Sequence, residues 1–272
     1  MTTASRQHHP RYVIVTGGSR GIGRAVAEAF AREGAVVGIN HPGDHEGVSE
    51  TLAALARIDQ EAGRGVRPHL DLQADVADEV QIKAIFARAL SEWGRIDCVI
   101  CNAGIQAVTD GHDFDLPTFE RIMAVNLTGT ALCAREAVAH FLTRAGGGSV
   151  IVTSSVHQIV PKPAYLAYAA SKGALAQLVR TLALEYADRG IRVNAVAPGA
   201  VTTDLNAAWI NDPQARAGVE SHIPMGFAAE ALQIAPIYTF LASDAALYIT
   251  GQTLYACGGI TLYGDFKQNW AS

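Results

Sequence analysis

In the stretch "SSVHQIVPKPAYLAYAASK", residues 154–172, Tyr168 stands four positions before Lys172. On a helix, residues at i and i+4 share a face, so this spacing predicts neighbouring side chains. A free tyrosine has a pKa of about 10 and is a poor base at neutral pH. A nearby ammonium favours the phenolate and draws that pKa towards the working range. A hydroxyl from Ser155, at the end of the preceding strand, would hold a substrate oxygen beside the phenol. These groups suit removal of an alcohol proton while a hydride leaves the same carbon. Ser154 and Ser155 alternate along a strand, so only one of them can face such a site.

A departing hydride needs an acceptor, and a second motif supplies the place for one. Straight after the first apolar run comes "TGGSRGIGRAVAEAF", in which Gly17, Ser19, Arg20, Gly21, Ile22 and Gly23 lead into a helical pattern. Glycines allow a tight turn and close approach of the backbone to a ligand. The helix N-terminus behind them offers unpaired N–H groups to a pyrophosphate. A dinucleotide, NAD or NADP, is therefore expected. An acidic residue at the end of the second strand would bind ribose hydroxyls, whereas a basic one would bind a 2′-phosphate. Asn40 and His41 give neither signal. Arg20 is in reach of a 2′-phosphate but lacks a second basic partner, which leaves NAD favoured. Asp75, just after the third strand, suits either an adenine contact or a helix N-cap.

The elements that must carry these groups alternate along the chain. Strand-like runs lie at 12–16, 35–40, 66–72, 97–102, 149–154, 191–197 and 253–257, with helical patterns between them. Several of the helical patterns stop at glycine, namely Gly34, Gly63, Gly94 and Gly190, as helices commonly do. Near-continuous apolar strands joined by helices predict an α/β fold. The expectation is a single domain over 1–272: a Rossmann-type, doubly wound parallel sheet of seven strands with helices on both faces. Residues 1–10 read as a flexible tail.

Composition narrows the partners. The net charge of −5, with no basic block, argues against nucleic acid or an anionic membrane surface. No apolar run reaches the roughly 20 residues that span a bilayer, and the polar start has no leader-like core. A soluble, cytoplasmic protein is expected. The four cysteines do not make a disulfide framework. In "CVIC", Cys98 and Cys101 are three apart on a strand and point to opposite faces, unlike a redox pair. No His/Cys cluster has zinc-ligand spacing, so no metal is expected.

With these motifs in place, the chain resembles the short-chain dehydrogenase/reductase family over nearly its full length. The likeness is carried, in family order, by "TGGSRGIG", Asp75–Val76, "NAG" at Asn102–Gly104, "VNLTG" around Asn126, "SS" ending at Ser155, "YAASK", and "PGAVTT" from Pro198. It implies Tyr168 as general base and Ser155, chosen over Ser154 by the family spacing, as holder of the substrate oxygen. It implies that Lys172 binds the nicotinamide ribose and lowers the tyrosine pKa. Asn126 would hold a water that passes the proton outwards, and Asn102, Ala103 and Gly104 would line the cofactor. Beyond Pro198 and Gly199, Val201 and Thr203 would contact the carboxamide. A homotetramer that pairs the helices of Asn126 and Tyr168 is also implied.

A narrower similarity, to bacterial glucose 1-dehydrogenases and related aldose dehydrogenases, covers "NLTGTALCAREAV", "SSVHQIVPKPAYLAYAASKG", "DPQARAGVESHIPMG" and "GGITLYGDF". It implies oxidation of a cyclic sugar at its anomeric carbon to a lactone, with a substrate loop at 204–226. His157 suits a sugar hydroxyl, or is a loop residue with local bonds. Gln106 stands where glucose dehydrogenases tend to carry an acid, and Lys162 where they tend to carry an aromatic. Both changes favour negative charge on the substrate. Lys162, with His157, is thus a candidate reader of a uronate or sulfo-sugar, the alternative being a solvated loop lysine. The rival activities are a 3-oxoacyl-thioester reductase or another short-chain alcohol dehydrogenase, and a non-catalytic cofactor-binding regulator. The tail 258–272, with Tyr263, Phe266 and Trp270, is expected to pack on a neighbouring subunit.

Overall fold

The computed structural model describes residues 11–262. Strands β1 (Tyr12–Thr16), β2 (Val36–His41), β3 (Leu70–Gln73), β4 (Cys98–Cys101), β5 (Gly148–Thr153) and β6 (Ile191–Pro198) occupy the apolar runs. A short pair, β7 (Val201–Thr202) and β8 (Ala229–Glu230), which no apolar run announces, precedes β9 (Thr253–Ala256). The helices are α1 (Gly21–Arg32), α2 (His45–Glu61), α3 (Glu79–Trp93), α4 (Leu116–Met123), α5 (Thr130–Leu142), α6 (Leu166–Tyr186), α7 (Ala207–Ile210), α8 (Pro213–Ser221) and α9 (Ala231–Ala242). β3 is shorter than its predicted run. Pro68 lacks a donor for the ladder, and Val66 is fully exposed.

Seven strands form one parallel sheet in the order β3-β2-β1-β4-β5-β6-β9, the expected Rossmann-type doubly wound arrangement. Both faces are covered because alternate residues of each strand are apolar. On one face Ile14, Val99, Val150 and Val152 pack against Phe86 of α3, Phe141 of α5 and Val179 of α6. On the other, Val13, Val15, Ile100 and Ile151 pack against Phe30 of α1, Leu55 of α2 and Tyr238 of α9. Burying each of these large side chains stabilises the fold by about 1.5–3 kcal/mol. Cys101 belongs to the first layer and Cys98 to the second, and all four cysteines are free and buried.

The segment 119–141 reads as one helix in sequence, and its helical backbone is continuous from α4 to α5. Between them the residues Ala124–Gly129 widen into a π turn, a feature that often marks functional sites. Gly129 lets this turn seat on Val76, where an added Cβ would lie 2.7 Å from Val76 Cγ2.

The strand order reverses between β1 and β4, and the crevice outside the carboxyl ends at such a point is where ligands bind in this architecture. The glycine turn, Asn102, Ser155 and Pro198 all lie at carboxyl ends of strands. No helix among the described residues is long and apolar enough to cross a membrane. Tyr263, Phe266 and Trp270 and the 1–10 segment fall outside the described residues.

Candidate active site

Gly17 and Gly21 take positive φ angles of 60° and 54°, which fold the chain back on itself after β1. At Gly23 an added Cβ would lie 2.0 Å from the Gly17 carbonyl oxygen and 2.6 Å from Asn102 Nδ2. The turn is locked to β4 by reciprocal bonds. Asn102 Nδ2 donates to the carbonyls of Thr16 and Gly17 at 3.0 and 3.1 Å. Thr16 Oγ1 accepts from the N–H groups of Asn102 and Ala103 at 2.9 and 3.0 Å. Thr16 is not among the sequence candidates; a polar residue ending an otherwise apolar strand is its signal. α1 starts at Gly21 with no side-chain cap and no acid in its first turn. Its orphan N–H groups and positive end therefore suit a pyrophosphate, and the residues present fit a dinucleotide.

Two of the cofactor candidates at the end of β2, Asn40 and His41, turn their side chains into the fold. His41 is fully buried, its Nε2 bonded to Asp71 at 2.8 Å and its Nδ1 accepting from Gly43 N–H at 3.2 Å. The Asn40 amide donates to the Leu72 and Ala74 carbonyls at 2.9 Å each. Both side chains tie β2 to its surroundings. Asp44, which no sequence motif marks, lines a cavity beside the glycine turn.

Asp44 caps α2 and takes Arg20 in a bidentate pair, at 2.9 Å from Nε and 2.8 Å from the terminal nitrogen. A bond from Ser19 does most to hold the Asp44 carboxyl below the usual range, against desolvation and with help from Arg20 and Gly47. A cavity of 390 Å³ beside the turn is lined by Arg20 and Arg24 but also by Asp44, Glu46, Glu50 and Asp204. Carboxylates outnumber guanidiniums there. Asp75 accepts from Ala77 N–H at 3.0 Å and pairs with Arg121 at 2.8 Å, while Asp78 caps α3, so the cap reading of Asp75 is corrected.

Ser154 and Ser155 part company as alternation requires. Ser154 donates to Gln158 Oε1 at 2.6 Å, and Gln158 donates on to Tyr255 at 2.6 Å. Ser155 Oγ accepts from the His157 N–H at 3.2 Å. Burial pushes the Tyr168 phenol up, opposed by the Ser155 hydroxyl. The Lys172 ammonium lies 5.6 Å from the Tyr168 ring centroid, and burial lowers its own pKa to about 8. Gly104 lies between this lysine and Asn126: a Cβ there would be in ordinary contact, 3.6 Å from Lys172 Nζ and 3.4 Å from Asn126 Oδ1. Asn126 is spent on the framework: Oδ1 accepts from Ile105 N–H at 2.8 Å, and Nδ2 donates to the Ile105 carbonyl at 2.9 Å and Ser171 at 3.0 Å. Thr203 packs on the turn, 3.4 Å from where a Gly21 Cβ would stand, and Val201 is buried behind it.

The three substrate candidates come together. Lys162 Nζ donates to Gln106 Oε1 at 3.0 Å and lies 5.5 Å from the Tyr168 ring centroid. The His157 ring meets the Tyr168 ring edge-on, with centroids 6.2 Å apart. His157 Nδ1 lies 3.0 Å from the Val160 carbonyl, which only accepts, so Nδ1 carries the proton and Nε2 presents a lone pair. Desolvation lowers the His157 pKa, opposed by the Val160 bond and aided by the nearby Lys162 charge.

Comparison with known proteins agrees with this geometry. A family model described as enoyl-(acyl carrier protein) reductase matches residues 17–261. Glucose 1-dehydrogenase of Gluconobacter oxydans is 48% identical over 96% of this chain and 95% of that protein. 3beta-hydroxysteroid dehydrogenase 1 of Eggerthella lenta is 44% identical over 94% of this chain and 95% of its own. Cis-4-hydroxycyclohexanecarboxylate dehydrogenase of Sinomonas cyclohexanicum is 38% identical over 92% and 96%. A glycine turn locked to β4, a buried tyrosine beside a buried lysine, and these likenesses lead to one family: the chain is a short-chain dehydrogenase/reductase, an oxidoreductase acting on CH–OH groups with a nicotinamide cofactor.

Proposed function

We propose that the enzyme oxidises the anomeric hydroxyl of a cyclic sugar to a lactone, with NAD as the favoured acceptor over NADP. The observation that carries this reading is the buried Tyr168 set among three polar side chains, His157, Gln106 and Lys162. When bound, the nicotinamide would supply the acceptor for the sugar C1 hydride. Tyr168 takes the hydroxyl proton, Ser155 holds the oxygen as it becomes a carbonyl, and Lys172 binds the nicotinamide ribose. Asn126 positions the Ile105 segment, next to Gly104, and Ser171. The His157 Nε2 lone pair accepts from a neighbouring sugar hydroxyl.

Similarity to glucose 1-dehydrogenase supports a sugar. The ring alcohol named for the Sinomonas relative carries a carboxylate, which supports the anionic variant, a uronate or sulfo-sugar. The Asp44–Arg20 pair supports NAD. A homotetramer goes with this reading, since α6 leaves Leu166 and Leu184 exposed; a monomer in size-exclusion with light scattering would remove it.

The test is nicotinamide reduction with neutral and acidic aldoses, with the lactone identified as product. Lactone formation that disappears in Tyr168→Phe supports the reading. Failure with every aldose, together with reduction of an acetoacetyl thioester, would replace it with the thioester reductase. Nucleotide binding without any turnover would leave a regulator.

A further inference from the structure

Lys162 is held in place at a conformational cost. Lys162–Tyr165 form a tight turn, closed by Tyr165 N–H donating to the Lys162 carbonyl at 3.2 Å. Pro163 and Ala164 occupy its corners, and Ala164 has a φ of 61°, the sole positive value at a non-glycine residue among those described. A turn of this kind normally places glycine there, and strain of this sort gathers at ligand-binding segments. The turn is stitched to Thr109, whose N–H donates to the Ala164 carbonyl at 2.8 Å and whose carbonyl accepts from Leu166 at 3.2 Å.

The result is a half-buried ammonium that lies 3.7 Å from the Tyr165 ring centroid. Among the described residues no carboxylate stands within ion-pair distance of it. Its polar side-chain partner is the Gln106 amide, which does two things. Gln106 Oε1 accepts from Lys162, and Gln106 Nε2 donates to the Leu205 carbonyl at 2.9 Å, at the start of the substrate loop. One amide therefore joins the ammonium to the loop.

We infer that Lys162 is the specificity-determining residue for an anionic substituent, carboxylate or sulfonate, on the ring alcohol oxidised at Tyr168, and that Gln106 is its positioning residue. An ammonium has three donors, so Gln106 can stay while an acid oxygen takes another. Bonds between ionised partners are about twice as strong as neutral ones, and partial exclusion of water strengthens them. The 5.5 Å between Nζ and the Tyr168 ring centroid is of the order of one sugar ring, so one small substrate reaches both. The inference rests on the proposed oxidation of a ring alcohol at Tyr168, though the alcohol need not be anomeric.

The test compares kcat/KM for glucuronate and glucose in the wild type, Lys162→Met, Lys162→Arg and Gln106→Ala. It also compares binding of cyclohexanecarboxylate and cyclohexanemethanol to the NAD-loaded enzyme, read as a shift in melting temperature. The acid-to-neutral ratio is expected to be about tenfold or more in the wild type, to fall to about one in Lys162→Met, and to persist in Lys162→Arg. Gln106→Ala is expected to raise KM for the acid more than it lowers kcat. An even ratio in the wild type, or a ratio untouched by Lys162→Met, overturns the inference. If no sugar reacts but cyclohexanecarboxylate still binds through Lys162, the sugar reading falls and this inference stands.

Discussion

The Lys172 ammonium donates to the Thr153 carbonyl oxygen at 2.9 Å, so the lysine of the Tyr-x-x-x-Lys pair hangs from the end of β5. Thr153 Oγ1 in turn bonds Asn102 at 3.1 Å and Tyr238 at 2.8 Å, linking this anchor to the cofactor turn and to α9. In the sequence Thr153 is only a strand residue, yet it fixes where the charge sits.

Burial lowers the Lys172 pKa to about 8, whereas an unfolded lysine keeps about 10.4. Between those values the unfolded chain binds the extra proton, so stability rises with pH across that window and is lowest below it. Lys172→Met is expected to remove this rise. Urea midpoints measured from pH 7 to 10 in both proteins check it; parallel curves would show that the buried lysine is not the source.

Tyr168→Phe keeps the ring packed and removes the proton acceptor. Turnover is expected to fall by about 10²–10⁴-fold, the usual range for general acid–base catalysis, while nucleotide affinity holds. Calorimetry with NAD alongside kinetics separates the two effects. Retained turnover would move the base elsewhere.

Gly23→Ala drives a methyl against the Gly17 carbonyl oxygen at 2.0 Å, with backbone on one side and Asn102 on the other. Overpacking of this kind costs roughly 1–3 kcal/mol. A lower melting temperature and loss of NAD binding are expected together. An unchanged melting curve would mean that the turn opens at little cost.

Asp44→Ala releases Arg20 and removes a carboxylate from the acidic rim of the cavity. The freed guanidinium can then form a charge-assisted hydrogen bond to a 2′-phosphate, so affinity for 2′,5′-ADP is expected to improve by about tenfold. Binding of 2′,5′-ADP and 5′-AMP to wild type and variant reads it directly. Equal improvement for both ligands would deny Asp44 any role in choosing between the cofactors.

The sequence by itself determined the parallel sheet, because alternating apolar runs and amphipathic segments are local patterns set by periods of two and 3.6 residues. It also determined the glycine turn, the Tyr168–Lys172 spacing and the parting of Ser154 from Ser155, each a matter of near neighbours on one element. It did not reveal the π turn at Asn126, because the residues there are as apolar as those of an ordinary helix. Only the tertiary structure buried His41 and Asn40 and brought Asp44 to Arg20, since those contacts join separate elements across the groove. The same holds for Lys162, whose partner Gln106 lies 56 residues before it and bonds in turn to Leu205, 43 residues after it. Periodicity tells which face a residue occupies; which face it meets depends on loop closure and packing over the whole sheet.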